Sequence, residues 1–181
     1  SRTDLPDLCR PHGRKIAMAR QQSLLEAAEQ IGEVLAGRGL RAVVIGAAAL
    51  AAHRYVRHTE DLDLGVNVAV SELAGIGVDL RTAGFEVAVR EPDGDDPLGG
   101  VIDVSGPFGL VQLVNFGERF PAVIETGFAE AALPMCEGGK LRIIPLANLV
   151  ALKLYAGGMK SKADIVELLR RNPAADRDHI R

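Results

Sequence analysis

The sequence predicts an α+β domain in which helices cover a mixed β-sheet. Two observations support this fold class. Helical and strand-like segments follow one another as helix, strand, helix, strand, helix, then a run of strands, then two helices. The chain has 181 residues, 48% of them hydrophobic and 25% charged, which is typical of one globular domain with a sizeable core.

Periodicity and turn residues predict the elements of the N-terminal half. Residues 1–14 carry no regular pattern and are expected to be irregular. A 3.6-residue period of apolar side chains then predicts a helix from Lys15 to Ala36. The β-branched run 41–46 predicts a buried strand, and the alanine-rich segment 47–55 a helix. The other predicted elements here are strands at 61–68 and 85–89 and a helix at 71–83.

The C-terminal half is predicted to contain further strands and a helical pair. An acidic stretch rich in glycine and proline predicts a loop at 91–100, whereas 118–126 carries a weak signal. Pro145 is placed to open a helix that runs to about Ala156. The remaining elements are strands at 101–104 and 110–116, a hairpin of 129–135 with 140–144, and a helix at 160–171. One domain would span 15–172, followed by a loose tail at 173–181.

Charge and cysteine content exclude several classes of protein. The formal net charge of -3 argues against a protein that coats nucleic acid, although a local basic patch is compatible with it. Cys9 and Cys136 have no metal-ligand spacing and favour free thiols in a reducing cytosol. The polar N-terminal stretch lacks a secretory signal pattern, and no apolar run is long enough to span a membrane. We therefore expect a cytoplasmic protein without a membrane partner.

Asp61 and Asp63 are the strongest functional signal in the chain. They lie two residues apart in a predicted strand, so both carboxylates leave the same face of the sheet. Carboxylates this close repel each other unless a cation lies between them, and hard oxygen ligands suit Mg²⁺. A dinucleotide-binding fold is disfavoured because the glycine turn at Gly46 lacks the G-x-G-x-x-G spacing. The pair therefore predicts magnesium-dependent phosphate chemistry.

Several motifs resemble those of a known superfamily. The strand end V-V-I-G-A and the later string A-A-H-R-Y-V-R-H-T-E-D-L-D-L resemble the opening motif of DNA polymerase β-type nucleotidyltransferases. The pattern R-x-T-x-D-x-D at 57–63, the segments 96–102 and 148–158, and Asp164-Ile165 are similar to one branch of that superfamily. This branch contains small bacterial proteins related to abortive-infection (type IV toxin–antitoxin) nucleotidyltransferases. The resemblance covers about residues 40–170 and implies a nucleotidyltransferase-like sheet with a C-terminal helical pair.

The resemblance implies roles for the residues around the carboxylate pair. Asp61 and Asp63 would hold one or two Mg²⁺ ions at the phosphates of an NTP. The backbone N–H groups at Gly46 and Ala47 would contact the terminal phosphates, because glycine permits a close approach of the backbone. The nucleotide-binding set would also include Arg57 and Thr59.

Lys153 is a candidate for catalysis and nucleotide binding. Together with Leu146, Leu149 and Val150 it lies on the apolar stripe of a helix, where a cation must extend to solvent or meet an anion. The resemblance supplies a nucleotide phosphate or the carboxylate cluster as that anion. Asp164 on the following helix would orient Lys153 within the nucleotide-binding set.

The third carboxylate of the superfamily is replaced in this sequence. Related enzymes carry it on a later strand, as a metal ligand and as the general base for the acceptor hydroxyl. The matching position is Gln112, whose amide ligates a metal weakly and accepts no proton. Asp103 on the preceding strand is a nearby carboxylate that would take over this catalytic role.

Weaker candidates are basic residues on either side of these motifs. Lys160 and Lys162 are expected on the surface. A basic cluster before the carboxylates predicts either phosphate or RNA contact or a solvated helix end, and consists of His53, Arg54, Arg57 and His58.

Three functional hypotheses follow. The leading one is nucleotidyl transfer from an NTP to a hydroxyl of RNA, protein or a small molecule, with a toxin-like role and an antitoxin protein partner implied by the resemblance. The second is a catalytically degenerate fold that binds a nucleotide or a protein partner. In the third, the carboxylate pair is structural and is buried against Arg57 or Lys153.

Overall fold

The computed structural model describes residues 11–93, 98–117, 119–129 and 133–175, with side chains from residue 24 onward except that of residue 129. Within these residues the strands are β1 (Ala42–Val44), β2 (Asp61–Val66), β3 (Glu86–Arg90), β4 (Val101–Gly106), β5 (Gly109–Asn115) and β6 (Arg142–Ile143). The helices are α1 (Pro11–Gly37), α2 (Gly46–Ala52), α3 (Leu73–Thr82), α4 (Pro121–Ala129), α5 (Leu146–Ala156) and α6 (Gly158–Arg171). A 3₁₀ turn at Val70–Glu72 precedes α3.

The described strands form one mixed sheet in the order β3-β4-β5-β2-β1-β6. Strand β2 runs parallel to β5 and antiparallel to β1, and β4 is antiparallel to both β3 and β5. Strand β6 is parallel to β1. This confirms the predicted α+β class, a mixed sheet flanked by helices, and α5 and α6 form the predicted C-terminal pair.

The two faces of the sheet carry different cores. On one face α1 and α3 pack over Leu62, Leu64 and Val66 of β2. On the other face α2, α4 and α5 pack with Val43 and Ile45. Because side chains alternate along a strand, Asp61 and Asp63 lie on this second face. Burial of the three apolar side chains of β2 anchors the register, at about 1.5–3 kcal/mol each.

Two helices differ from the sequence-based expectation. Helix α1 begins at Pro11, so 11–14 of the segment predicted to be irregular are helical; proline fits a first helical turn because its missing N–H has no partner there. Helix α4 occupies a region of weak signal. It contains Gly127, where an added Cβ would lie 3.2 Å from Ile144, and Asn148 of α5 donates to Val123 O at 3.0 Å. Packing on its neighbours therefore stabilises a helix that local propensity does not predict.

Of the predicted hairpin at 129–135 and 140–144, residue 129 belongs to α4, residues 130–132 lie outside the described residues, and 133–135 pair with 141–143. Pro134 forms an isolated bridge with Arg142, and Ile143 donates to Leu133 O at 2.8 Å. Proline has no N–H and so limits the ladder. Residues 94–97 of the acidic loop and 176–181 of the predicted tail lie outside the described residues. In the described part of the chain, every helix is too short or too polar to cross a membrane.

Candidate active site

The carboxylate pair lies at the start of β2. Thr59 Oγ1 donates to the Asp61 carboxylate and also lies 3.2 Å from Asp61 O, so the threonine orients the first acid. Burial raises the pKa of Asp63 above its ordinary value, and the charge of Asp61 raises it further. Lys153 and Lys160 oppose this shift. The ionised form of Asp63 is therefore disfavoured in the metal-free protein, and a cation bound between the two carboxylates would stabilise it.

Gly46 lies against the second carboxylate. Its φ is +62°, and a Cβ there would collide with Asp63 Oδ2 and lie 2.7 Å from Asp63 Cγ. The N–H of Ile45 donates to Asp63 O at 2.9 Å, which joins the end of β1 to β2. Gly46 and the partly exposed Ala47 open α2, so their backbone lies beside the acid.

Gln112 and Asp103 continue the row of polar side chains across the sheet. Gln112 is directly opposite Asp63 on β2 and directly opposite Asp103 on β4. Its Nε2 donates to Asp103 Oδ1 at 2.7 Å, and Arg90 Nη2 lies 3.0 Å from the same carboxylate. The neighbour of Asp63 on β5, at the position where a third carboxylate would complete the site, is thus an amide.

The donor set available to a metal is two carboxylates and one amide oxygen. Among the described residues, no three His, Cys, Asp or Glu side chains gather to hold a metal ion. Asp61, Asp63 and Gln112 nevertheless present hard oxygen atoms on one face, and hard oxygen donors are the ligands of Mg²⁺. The chemistry of this set fits Mg²⁺, with less negative charge than three carboxylates would supply.

Asp164 brings two cations together beside the site. Only 2% of its side chain is exposed, and it lies 2.8 Å from Lys153 Nζ and 2.8 and 2.9 Å from Arg57 Nη1. Burial would raise the pKa of Asp164, but the hydrogen bonds from Lys153 and Arg57 outweigh it, and the pKa lies below its ordinary value. The direct partner of both Lys153 and Arg57 is therefore Asp164, and Lys153 acts on Asp63 only through its charge.

Lys160 is exposed, as the sequence predicts, and its charge acts on Asp63 of the carboxylate pair from a distance. It lies in the first turn of α6, close enough to Asp63 to lower that residue's pKa. The sequence feature next to Lys160 is the pair Gly157-Gly158. Their φ values of +65° and +75° turn the chain between α5 and α6. This turn carries the start of α6 back to the end of α5 that bears Lys153.

The basic cluster before β2 is divided by the structure. Its His53 Nε2 lies 2.7 Å from Ile144 O, which gives this histidine a structural contact. Arg57 is bound to Asp164, whereas Arg54 and His58 are exposed. The predicted phosphate or RNA contact is thus left to the two exposed residues.

The sheet order and its flanking helices define a nucleotidyltransferase-like fold. The chain is similar to the antibiotic-resistance factor ANT(2'')-Ia, at 15% sequence identity and a TM-score of 0.52, with 88% of each chain covered. It is also similar to an antigenic nucleotidyltransferase-like protein from Paracoccidioides brasiliensis, at 18% identity and a TM-score of 0.53, over 86% of this chain and 76% of that one. No family model and no curated protein sequence matches the chain.

Proposed function

We propose that the protein is a Mg²⁺-dependent nucleotidyltransferase that transfers a nucleotidyl group from an NTP to a hydroxyl acceptor. The observation that carries this proposal is the position of the half-buried Asp63, which lies against the backbone of Gly46 and on the same sheet face as Asp61, and whose pKa is raised by partial burial and by the charge of Asp61. A fold that only needed stability would gain from an apolar residue at this position. A like-charge pair on a sheet face next to a glycine turn is an arrangement suited to metal–phosphate chemistry.

Asp61 and Asp63 would hold the ion, with Gln112 as a neutral third donor. When bound, Mg²⁺ neutralises charge on the nucleotide phosphates and on the pyrophosphate leaving group. Thr59 keeps Asp61 in place through its hydroxyl.

The nucleotide phosphates would meet Lys153, Lys160 and the backbone N–H groups at Gly46 and Ala47. Asp164 holds Lys153 in a fixed position, so the ammonium needs little reordering when a phosphate binds. Arg57 supports the same aspartate from the loop before β2, which makes it a supporting residue of the nucleotide site.

The acceptor hydroxyl lacks an obvious base. Gln112 accepts no proton, and loss of a general base lowers a rate by about 10²–10⁴-fold. Asp103 is the sequence-based candidate, but its oxygens already accept hydrogen bonds from Gln112 and Arg90. We therefore expect slow transfer, with the acceptor hydroxyl losing its proton to water.

A second candidate function is nucleotide binding without transfer. The observation that favours it is Gln112 at the position directly opposite Asp63. The fold would then serve as a nucleotide-dependent regulatory or protein-interaction module. Mg²⁺-dependent binding of an NTP without pyrophosphate release is its signature.

The resemblance of the sequence to the abortive-infection branch extends the first proposal to a toxin-like role. The acceptor would then be an RNA, a protein or a small molecule, and an antitoxin protein would oppose the activity. Growth arrest on expression, relieved by Asp63→Asn, supports this role; equal growth of cells with either form overturns it.

Calorimetric titration with each of the four NTPs, with and without Mg²⁺, tests the proposal. Binding is expected to need both Mg²⁺ and Asp61, and to be lost in Asp61→Ala. The matched control is Glu60→Ala, which removes an exposed carboxylate from the adjacent position. Release of pyrophosphate on addition of an acceptor separates the enzyme from the binding module, and absence of NTP binding rejects both.

A further inference from the structure

Three adjacent strands place a carboxylate, an amide and a carboxylate in one row. Asp103, Gln112 and Asp63 are direct register partners on β4, β5 and β2. Directly opposed residues of neighbouring strands point to the same face, and the strands lie about 4.8 Å apart. Gln112 is therefore flanked by one acid on each side.

Hydrogen bonding determines which end faces which acid. Gln112 Nε2 donates to Asp103 Oδ1 at 2.7 Å. A carboxylate accepts and does not donate, so the reversed amide would set its oxygen against the oxygens of Asp103. Arg90 fixes that carboxylate from the other side at 3.0 Å. With Nε2 held toward β4, Oε1 is the end of the amide left for the side of Asp63.

We infer that Asp103 is a positioning residue that orients the Gln112 amide, so that Oε1 rather than Nε2 is offered to a divalent cation at Asp61 and Asp63. The inference rests on the metal site of the proposed function and adds a role for a residue two strands away from the metal. An amide turned the other way would point N–H groups at the cation and would oppose binding. Loss of a residue that hydrogen-bonds to a metal ligand typically changes the metal affinity 10–100-fold.

Metal affinity in a double-mutant cycle tests this role. Mn²⁺ is the probe, and its free concentration is read by electron paramagnetic resonance. Asp103→Ala is expected to weaken Mn²⁺ binding about tenfold, whereas the change has no further effect in a Gln112→Met background. Asp79→Asn is the matched control, because it removes an aspartate that pairs with Arg38 away from the site. A tenfold loss that persists in the Gln112→Met background means that Asp103 acts by charge alone and overturns the positioning role.

The second readout needs no metal. In ¹H–¹⁵N spectra of the metal-free protein, the Gln112 side-chain amide is assigned by its loss in Gln112→Met. Its proton shifts are expected to move upfield in Asp103→Ala as the bond to the carboxylate disappears, and to stay unchanged in Asp79→Asn. Unchanged Gln112 signals in Asp103→Ala overturn the positioning role of Asp103 and do not bear on the metal site. Absence of Mn²⁺ binding by the wild type overturns the metal site of the proposed function instead.

Discussion

The backbone of Gly46 and the carboxylate of Asp63 occupy adjoining space, so that a side chain at position 46 would fill the place of the acid. The φ of +62° at Gly46 disfavours other residues for a second reason. A phosphate bound near the start of α2 would therefore lie beside Asp63, the proposed metal ligand, which links the glycine turn to the Asp-x-Asp strand.

Replacement of this glycine should be unusually harmful. Gly46→Ala adds a collision with Asp63 to the strain of a positive φ, and we expect a loss of about 2–4 kcal/mol in the free energy of unfolding. Gly39→Ala is the matched control, because φ is +73° but nothing lies within 4 Å of the new Cβ. It should lose about 1 kcal/mol in the same urea titration. Equal losses in the two variants would contradict the contact with Asp63.

Asp63 should destabilise the metal-free protein at neutral pH. Because its pKa is raised in the folded state by burial and by Asp61, the ionised form is disfavoured there, and this penalty vanishes as the pH falls and the acid is protonated. We expect Asp63→Asn to melt at or above the wild-type temperature in EDTA at pH 7. The difference should shrink in acid, and added Mg²⁺ should stabilise the wild type alone. A clear loss of stability in Asp63→Asn would argue for a structural acid.

Asp164 should have the opposite pH dependence. Its pKa is lowered in the folded state, against the effect of burial, by Lys153 and Arg57. The stability it contributes is present above its ordinary pKa and is lost as the pH falls through the folded-state value. Asp164→Asn leaves two cations beside a neutral amide. We expect the free energy of unfolding, measured by urea titration, to fall by about 3 kcal/mol at pH 7. We also expect it to depend less on pH in the acid range. Asp79→Asn, from an exposed pair with Arg38, should lose less than about 1 kcal/mol.

A carboxylate introduced at position 112 should strengthen cation binding at the proposed metal site. Gln112→Glu would lie between Asp63 and Asp103, so the metal-free melting temperature should fall and the affinity for Mn²⁺ should rise. If a missing base limits transfer, pyrophosphate release should accelerate by about 10²–10⁴-fold. Gln30→Glu on α1 adds the same charge at an exposed position and should change neither quantity. Unchanged Mn²⁺ affinity in Gln112→Glu would count against Gln112 as a ligand.

Lys160 should contribute to nucleotide affinity. Its proximity to Asp63 predicts that Lys160→Ala weakens Mg²⁺–NTP binding about tenfold, the equivalent of one charge-assisted contact of about 1.4 kcal/mol. Lys162→Ala removes the same charge from an exposed neighbour on α6 and should leave the calorimetric affinity unchanged. Similar losses in both variants would indicate a general effect of charge.

Local patterns were sufficient for much of the site. The common face of Asp61 and Asp63 follows from the two-residue period of a strand, and the helix that bears Lys153 follows from its apolar stripe. Lys153 Nζ lies 2.8 Å from Asp164 Oδ2, a contact compatible with the orienting role that the resemblance implies for Asp164. Helix α4 was missed because its stability comes from packing on α5 and β1, which a short window of sequence does not contain.

The α+β class, the acidic pair and the presence of an amide at position 112 follow from the sequence alone. The tertiary structure adds that Gln112 lies between Asp63 and Asp103, that Arg57 joins Lys153 on Asp164, and that the charge of Lys160 lowers the pKa of Asp63. The reason is physical: side-chain periodicity is a property of neighbours in the chain. Strand register and helix docking instead depend on contacts between residues that are distant in sequence.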